Sequence, residues 1–312
     1  THIYGDVRDH KHLISVFQEY QPEFVFHLAA QPLVRLSYSE PRMTYGTNVM
    51  GTVNLFEAVR ATNSVRVVVN ITSDKCYENK EWVWGYREND PMGGYDPYSS
   101  SKGCAELITA AYRCSFFGYS TPQPFNPSTT QHSVALASVR AGNVIGGGDW
   151  GSDRLVPDCV RALSKGEEIM IRYPKAIRPW QHVLEPLSGY LLLGAKLWAD
   201  GSRYAGAWNF GPSGDEVWTV KELVKELIRL WGNGSFRVDS GEHLHEAHWL
   251  KLDCSKARIE LDWRPRLSIS QALEKTVEWY GQFYADASPK EMRDLSERQI
   301  MEYTHLIEQL ND

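Results

Sequence analysis

The chain has 312 residues, of which 42% are hydrophobic and 23% charged, and this length allows one large core or two lobes. Its formal net charge of −6 excludes the basic surface that nucleic-acid-binding proteins carry. No apolar run approaches the roughly 18 residues that a membrane-spanning helix needs, and the first residues lack the basic start and apolar segment of a signal peptide.

Cysteine and histidine spacing predicts neither a disulfide framework nor a metal site. The five cysteines are scattered and form no C-x-x-C pair, so we expect reduced thiols in a cytoplasmic protein. Three histidines, His243, His245 and His248, are close in sequence but lack neighbouring cysteines and the H-E-x-x-H spacing of a helical zinc site.

The first 140 residues alternate between helical and strand patterns. Apolar residues at spacings of three and four predict helices, and short β-branched or aromatic runs predict strands. The predicted helices are 13–20 and 44–61, and the predicted strands are 24–28, 66–71 and 134–140. Strands that alternate with helices pair in parallel, so we predict an α/β fold with a doubly wound parallel sheet of the Rossmann type.

The pattern changes after residue 141. Segment 141–150 contains four glycines, more than a turn between a strand and a helix requires. Residues 118–133 carry three prolines among polar residues and predict a surface loop. Further helices are predicted over 155–164, 184–199, 217–231 and 269–284, with a charged helical pattern from residue 288 onward. These elements predict a second, smaller lobe of mixed α/β structure.

Tyr98 and Lys102 form the first chemical pattern. The segment that continues to Tyr112 keeps helical apolar spacing without proline, so two side chains four residues apart share one face, roughly 5–6 Å between Cβ atoms. A nearby ammonium favours the phenolate of a tyrosine, whose pKa is ordinarily about 10. Such a phenol can accept and return a proton in redox chemistry between an alcohol and a carbonyl. A surface tyrosine and lysine on an ordinary helix is the alternative.

A second pattern follows the predicted strand 66–71. Its β-branched run is typical of a buried parallel strand, and it ends in Thr72, Ser73, Asp74 and Lys75. Polar side chains just beyond the carboxyl end of such a strand lie where open α/β sheets bind ligands.

Five stretches carry a family resemblance over nearly the whole chain. They are HLAAQPLVRLSY (27–38), ITSDKCY (71–77), GGYDPYSSSK (93–102), RAGNVIGGGDW (140–150) and RPWQH (178–182). With these stretches the chain resembles the extended short-chain dehydrogenase/reductase family, and within it the nucleotide-sugar 4,6-dehydratases. The resemblance implies a dinucleotide-binding domain over 1–142 and about 181–210, and a nucleotide-sugar-binding lobe over 143–180 and 211–312.

The resemblance implies NAD as the cofactor. Small residues in the turn after the first strand would let the backbone approach the ligand closely, although a simple tight turn has the same composition. The implied cofactor-binding residues are Asp6, Val7, Leu28, Ala29, Ala30, Gln31, Asn48, Thr72, Tyr98, Lys102 and Ala141.

The resemblance also implies the catalytic and substrate-binding residues. The catalytic residues would be Ser73, Asp74, Lys75, Tyr98 and Lys102. Many 4,6-dehydratases have aspartate then glutamate at the positions of Asp74 and Lys75. The aspartate and lysine of this chain resemble the CDP-glucose enzymes and the inverting dehydratases of UDP-N-acetylglucosamine. Lys75 can remove the sugar C5 proton if burial and the charge of Lys102 lower its pKa. The substrate-binding residues would be Arg35, Ser37, Ser73, Asn143, Leu155, Val156, Arg178, Gln181 and His182.

The implied activity is a 4,6-dehydratase acting on a nucleotide sugar, with CDP-glucose favoured, in deoxysugar biosynthesis of the O-antigen (lipopolysaccharide) type. The implied assembly is a homodimer or homotetramer. Alternatives are an inverting UDP-N-acetylglucosamine 4,6-dehydratase, a nucleotide-sugar 4-epimerase and a non-catalytic dinucleotide-binding sensor or scaffold. An epimerase needs no acid and base at C5 and C6, so Asp74 and Lys75 argue against it.

The start of the chain differs from the family pattern. Dinucleotide-binding folds open with a strand, a glycine-rich turn and a helix, and an acidic residue follows some 20 positions later. No such turn is present here, because Gly146, Gly147 and Gly148 follow the wrong strand. We therefore expect a chain that begins after the first βαβ unit, the alternative being a natural variant without the phosphate loop. The residue that distinguishes NAD from NADP would lie in that unit.

Overall fold

The computed structural model describes residues 1–118, 133–213, 218–241 and 250–309. The helices of these residues are α1 His10–Tyr20, α2 Val34–Ser39, α3 Pro41–Tyr45, α4 Gly51–Arg60, α5 Pro97–Ser115, α6 Leu155–Ser164, α7 Leu184–Ala199, α8 Gly201–Tyr204, α9 Val220–Trp231, α10 Ser255–Glu260, α11 Ile269–Tyr284 and α12 Pro289–Glu308. The strands are β1 Phe24–His27, β2 Val67–Ile71, β3 Ala135–Ala141, β4 Val144–Ile145, β5 Ile169–Ile171, β6 Gln181–His182, β7 Gly206–Phe210 and β8 Phe236–Val238.

Four strands form the principal sheet, in the order β1-β2-β3-β7. Each neighbouring pair is parallel, which confirms the predicted parallel sheet. Val67, Val68 and Val69 are all buried, as expected for a strand covered on both faces. Because parallel strands point the same way, the segments that follow β1, β2 and β3 emerge at one edge of the sheet.

Two hydrophobic cores cover the two faces of this sheet. Val68 packs with Phe56 of α4 and Phe17 of α1 on one face. Val67 and Val69 pack on the other face with residues of α7 and β7. The alternation of neighbouring strand residues between the two cores follows from the two-residue period of a strand.

A separate core builds the second lobe. α6, α9 and α11 pack together through Leu163, Leu227 and Leu273, with β5 included. Two short parallel pairs, β4 with β6 and β5 with β8, complete this part of the described chain. One assignment differs from the sequence prediction. α10, predicted with the second lobe, contributes Ala257 to the core of the principal sheet.

The element predictions can be compared with the structure one by one. Helices 155–164, 184–199 and 269–284 have the predicted bounds. The predicted helix 44–61 begins earlier, at Pro41, and contains a π-helical turn, Gly46–Met50. Helix α2 was not predicted, and no strand occurs in residues 1–9. Most of the predicted loop 118–133 lies outside the described residues, as do His243, His245 and His248.

Two observations concern what the described residues exclude. None of their helices combines the length and apolarity needed to cross a membrane. Within the same residues, no three histidine, cysteine or acidic side chains are grouped so that they could hold a metal ion.

Two helical glycines give a matched stability test. A Cβ on Gly189 of α7 would lie 2.4 Å from the ring of buried Phe210, whereas a Cβ on Gly281 of α11 would meet nothing within 4 Å. We expect Gly189→Ala to lower the free energy of unfolding by about 1–3 kcal/mol through overpacking. Gly281→Ala should raise it by about 0.5–1 kcal/mol, because alanine loses less backbone entropy. Urea denaturation measures both changes, and a Gly189→Ala protein as stable as the parent would contradict this packing.

Candidate active site

The turn after β2 holds an acidic and a basic side chain in a short 3-10 helix, Asp74–Cys76. The Ser73 hydroxyl accepts a hydrogen bond from the Lys75 backbone N–H (3.2 Å) and donates one to Asp74 Oδ1 (3.0 Å). Asp74 is only 3% exposed. Burial raises the pKa of Asp74, while the charge of Lys75 and the bond from Ser73 oppose the rise. Asp74 Oδ2 has no hydrogen-bond partner in the described part of the chain. Asp74 is therefore suited to hold a proton and to release it to a bound ligand.

The start of α5 fixes the position of Tyr98. The Asp96 side chain caps the helix by accepting a bond from the Ser99 backbone N–H (2.9 Å), and Pro97 occupies the first turn. The Tyr98 backbone N–H donates to the Ser37 hydroxyl (3.1 Å). These contacts tie the helix start to α2 and place the Tyr98 phenol beside the turn that holds Ser73.

Burial dominates the ionisation of Tyr98 and Lys102. It raises the pKa of Tyr98 to about 12, and a hydrogen bond with Ser73 is the largest opposing effect. It lowers the pKa of Lys102 to about 8, against the opposing effects of Cys76 and Glu106. The charge of Lys102, which we expected to favour the phenolate, is not among the causes that shift the pKa of Tyr98 most. The two side chains share a helix face, but burial has the larger effect on the phenol.

The turn after β1 is held from behind by Asn48, which lies in the π-helical turn. The Gln31 backbone N–H donates to Asn48 Oδ1 (2.8 Å), and Asn48 Nδ2 donates to the Gln31 carbonyl (3.0 Å) and to the Ser101 hydroxyl (2.9 Å). Leu28 and Ala29 are exposed on the outer side of the turn. A rigid turn with an open, partly small-residue surface fits an extended ligand such as a dinucleotide.

The other predicted cofactor residues have mixed surroundings. Asp6 is exposed, and Arg8 lowers its pKa to about 2. Val7 packs against α4, where a Cβ on Gly51 would lie 2.8 Å from its side chain. The Thr72 hydroxyl is buried, and its one hydrogen is shared between two acceptors, Glu106 Oε1 (2.5 Å) and the Val139 carbonyl (3.1 Å). Ala141 ends β3 and is half-buried.

A cavity of about 710 Å³ runs from this edge of the sheet into the second lobe. Most of the predicted catalytic and substrate-binding residues line it, namely Arg35, Ser73, Asp74, Lys75, Tyr98, Asn143, Leu155, Val156 and Arg178. A volume of this order is typical of a small-molecule site. The structure thus brings residues from two strand ends, α2, α5, α6 and the segment before β6 to one cavity.

Three predicted substrate residues lie behind the cavity wall instead. The Ser37 hydroxyl accepts from the Tyr98 backbone N–H and donates to the Val34 carbonyl, so it is committed to holding α5. Gln181 Nε2 donates to the Phe210 carbonyl (3.0 Å). His182 is 2% exposed and accepts a bond from the Leu184 backbone N–H through Nδ1. Sequence position alone did not distinguish these buried supports from their exposed neighbours.

Two arginines that sequence reasoning missed also line the cavity, Arg154 and Arg172. Arg172 shares the carboxylate of Asp153 with Arg35, at 3.4 Å and 3.3 Å. Arg154 pairs with Asp149 at 2.8 Å. Asp149, Asp153 and Asp158 line the same part of the cavity, so its arginines lie among carboxylates. Arg172 directly follows β5. A search for polar residues just beyond the ends of strands would therefore have identified it.

A parallel sheet whose strand ends carry Ser73, Asp74 and Lys75 beside a Tyr98–Lys102 pair defines an enzyme of the extended short-chain dehydrogenase/reductase class. A family model described as GDP-mannose 4,6 dehydratase matches residues 1–276. The chain belongs to this family.

Individual proteins resemble the chain over most of its length. It is 52% identical to the CDP-glucose 4,6-dehydratase of Salmonella typhimurium strain LT2, over 97% of this chain and 82% of that protein. It is 27% identical to a dTDP-glucose 4,6-dehydratase of Streptomyces antibioticus, over 90% of this chain and 76% of that protein. The solved structure of the dTDP-glucose 4,6-dehydratase DesIV of Streptomyces venezuelae, with NAD bound, matches 92% of this chain and 81% of its own chain, with a TM-score of 0.75 and 23% identity. That structural likeness establishes the fold.

Buried His182 generates a pH prediction. Burial, with a smaller effect from Lys275, lowers the pKa of His182 from 6.5 to about 4. Below pH 6.5 the unfolded chain binds a proton that the folded chain does not bind until about pH 4, so stability falls as pH falls. At pH 4.5 the loss from this residue is about 2–3 kcal/mol.

We therefore expect His182→Gln to lose about 2–3 kcal/mol less than the parent protein between pH 7 and pH 4.5. Urea denaturation at the two pH values measures the difference. The control is His305→Gln, because the His305 side chain is 67% exposed. Equal pH dependence in the parent and His182→Gln proteins would show that His182 is not buried in its neutral form.

Proposed function

We propose that this protein is an NAD-dependent nucleotide-sugar 4,6-dehydratase that converts CDP-glucose to CDP-4-keto-6-deoxyglucose. The observation that carries the proposal is that Ser73, Asp74, Lys75 and Tyr98 line one cavity. The choice of CDP-glucose is supported by the 52% identity with the Salmonella enzyme. It is also supported by the Asp74–Lys75 pair, which replaces the aspartate and glutamate of many dehydratases.

NAD would be held by the outer side of the turn after β1, Leu28 to Gln31, and by Tyr98 and Lys102. The fit rests on the turn itself, because Asn48 fixes its backbone from behind and leaves its outer side open. When bound there, NAD supplies an acceptor for the hydride of sugar C4 and later a donor of hydride to C6. Charged Lys102 is suited to bind a ribose hydroxyl at the same place.

Tyr98 and Ser73 would handle the proton of the sugar 4-hydroxyl. As C4 is oxidised to a ketone, the O4 proton passes to the oxygen of Tyr98. A hydrogen bond with Ser73 lowers the pKa of Tyr98. When Ser73 donates to the phenol oxygen instead of to Asp74 Oδ1, it favours the phenolate that accepts this proton. At the end of the cycle C4 keeps its ketone, and the phenol returns its proton to solvent.

Asp74 and Lys75 would carry out the elimination. The C4 ketone acidifies the C5–H bond, and the Lys75 amine takes that proton after losing its own to solvent. The C6–O bond then breaks as Asp74 gives its proton to the leaving hydroxyl, which departs as water. Burial raises the pKa of Asp74, so its carboxyl group is protonated at a higher pH than an exposed aspartate. Elimination leaves a C5=C6 double bond in the sugar, Asp74 ionised and Lys75 charged. When hydride reaches C6, Lys75 returns its proton to C5, and Asp74 regains a proton from solvent.

The cations of the cavity would hold the diphosphate. Arg178 is 7% exposed and lines the cavity, where its Nη1 donates to the Ile177 carbonyl. Arg35 and Arg172 add charge on the wall near α6. Guanidinium groups bind phosphate oxygens through paired N–H donors. The nucleoside would then lie toward the second lobe.

A 4-epimerase is the nearer alternative on the same fold. Epimerisation at C4 needs the Tyr98 chemistry but no acid that protonates O6. The buried Asp74 carboxyl with its raised pKa therefore favours a dehydratase. A cytoplasmic location, a role in deoxysugar (O-antigen type) biosynthesis and a homodimeric or homotetrameric assembly stay predictions.

Turnover of a panel of sugar nucleotides tests the proposal. CDP-glucose, dTDP-glucose, UDP-N-acetylglucosamine and UDP-glucose are incubated with the protein and NAD, and the 4-keto-6-deoxy product is followed by nuclear magnetic resonance. We expect product from CDP-glucose with the highest kcat/KM. Formation of UDP-galactose from UDP-glucose would instead show that the protein is a 4-epimerase.

The Lys75→Met variant separates oxidation from elimination. The change keeps length and bulk but removes the amine, so abstraction of the C5 proton should slow roughly 10²–10⁴-fold while oxidation at C4 survives. Mixing with CDP-glucose should then accumulate reduced nicotinamide absorbance, and exchange of the C5 hydrogen with deuterated water should fall. The matched control is Tyr98→Phe, which should block oxidation and give no such absorbance. Normal turnover by Lys75→Met would mean that another group is the base.

A further inference from the structure

A buried ion pair lies directly beneath the turn that carries Asp74 and Lys75. Arg140 of β3 and Glu106 of α5 are 2.7 Å apart, and both side chains are 4% exposed. Neither residue lines the cavity, so neither touches the substrate space. Burial alone would raise the pKa of Glu106, but the hydrogen bond and charge of Arg140 lower it, so the carboxylate is ionised.

The pair is bonded to both ends of the turn. At the front end, Glu106 Oε1 accepts a hydrogen bond from Thr72 Oγ1 (2.5 Å). At the far end, Arg140 Nη1 donates to the Tyr77 hydroxyl (2.6 Å), which in turn donates to Asn209 Oδ1 of β7 (2.7 Å). Residues 73–76 therefore lie between two side chains that are bonded to one ion pair.

Further bonds fix the pair itself in the sheet. Glu106 Oε2 accepts from the Ser138 hydroxyl of β3 (2.7 Å), and Arg140 Nη1 also donates to the Glu88 carbonyl (3.0 Å). The Arg140 guanidinium lies 4.8 Å from the centre of the Tyr77 ring. The network thus joins α5, β3 and β7 to the turn after β2.

Stability is a poor explanation for this arrangement. Taking two charges out of water costs more than their attraction often returns, and hydrophobic replacements of buried ion pairs are frequently neutral or stabilising. A pair that is bonded to several elements instead restricts the positions of the groups bonded to it. The groups bonded here are the two ends of the turn that presents Asp74 and Lys75.

We infer that Glu106 and Arg140 are positioning residues for the elimination of water: their ion pair fixes both ends of the Thr72–Tyr77 turn and so holds Asp74 and Lys75 against sugar C5 and C6. The inference rests on the proposed function, because it assigns the pair to one step of that reaction. Tyr98 is held by different contacts, with Ser37 and through the Asp96 cap. The same turn also carries Ser73, which bonds the Tyr98 phenol, and the charge of Glu106 raises the pKa of Lys102, so oxidation at C4 should slow as well, but less than elimination does.

The test compares a double variant with its parent. Glu106→Met alone leaves Arg140 buried without its counter-charge and should lower the midpoint of urea denaturation. Adding Arg140→Met removes the second charge and should restore that midpoint, but the turn stays without its two anchors. We expect the stable double variant to lose roughly 10²-fold in kcat, since misplacement by about 1 Å costs that much, with KM for CDP-glucose nearly unchanged. It should accumulate reduced nicotinamide, and its C5 hydrogen exchange should be slowed.

The control is Thr109→Val, on the same two elements. Asn70 Nδ2 of β2 donates to Thr109 Oγ1 of α5 (2.7 Å), and Thr109 is fully buried. This variant removes a buried polar contact between β2 and α5 without touching the turn, and it should keep the parent kcat. If it lost elimination to the same degree as the double variant, general loosening would explain the effect and the inference would be overturned. Full kcat in a stable double variant would also overturn it, because the pair would then be structural only.

Two measurements keep the outcome decisive. If the double variant does not fold, Tyr77→Phe serves instead, because it keeps both charges paired and removes only the hydrogen bond at the far end of the turn. Elimination should then slow by a smaller factor, again more than oxidation does. Normal turnover by Tyr77→Phe would contradict the inference. Hydrogen exchange of the Cys76 backbone amide, which donates to the Ser73 carbonyl (3.2 Å), needs no substrate. Faster exchange at Cys76 in the double variant or in Tyr77→Phe, but not in Thr109→Val, supports the positioning role even if the parent protein proves inactive on CDP-glucose. Unchanged exchange contradicts it whatever the substrate.

Discussion

The parallel pairing of β1, β2 and β3 is the constraint on which the site depends. Because these strands run the same way, the turns that follow them open at one edge of the sheet, although they are far apart in sequence. The Asn48-held turn, the Ser73–Lys75 turn and the segment at Asn143 meet there for that reason alone. α5 then lies across the same edge and adds Tyr98.

Burial gives the side chains at this edge their chemical character. The same loss of contact with water raises the pKa of Asp74 and Tyr98 and lowers that of Lys102, because in each case it disfavours the charged form. The local hydrogen bonds of Ser73 then oppose the effect at both Asp74 and Tyr98. A single small hydroxyl thereby affects both the carboxyl of Asp74 and the phenol of Tyr98.

A network of buried polar residues lies behind the side chains that face the cavity. Glu106 and Arg140 are ionised in a place where ionisation is costly, and they are bonded to Thr72 and Tyr77, on either side of the turn that carries Asp74 and Lys75. Ser37 and Asn48 act in the same way on α5 and on the turn after β1. Tyr98 and the turn that carries Asp74 and Lys75 face the cavity, and buried polar residues that do not line it hold both in place.

The sequence by itself determined the parallel α/β fold, the strand-end turn at Ser73–Lys75 and the Tyr98–Lys102 pair, because periodicity and local spacing depend only on neighbouring residues. It did not determine which polar residues are exposed: Ser37, Gln181 and His182 were predicted to meet substrate and are buried, while Arg172 was overlooked and lines the cavity. In the sequence, Glu106 and Arg140 also look like ordinary charged residues of a helix and a strand. Only the tertiary structure decided these points, since burial and ion pairing across elements 34 residues apart arise when the chain packs, and no local pattern encodes them.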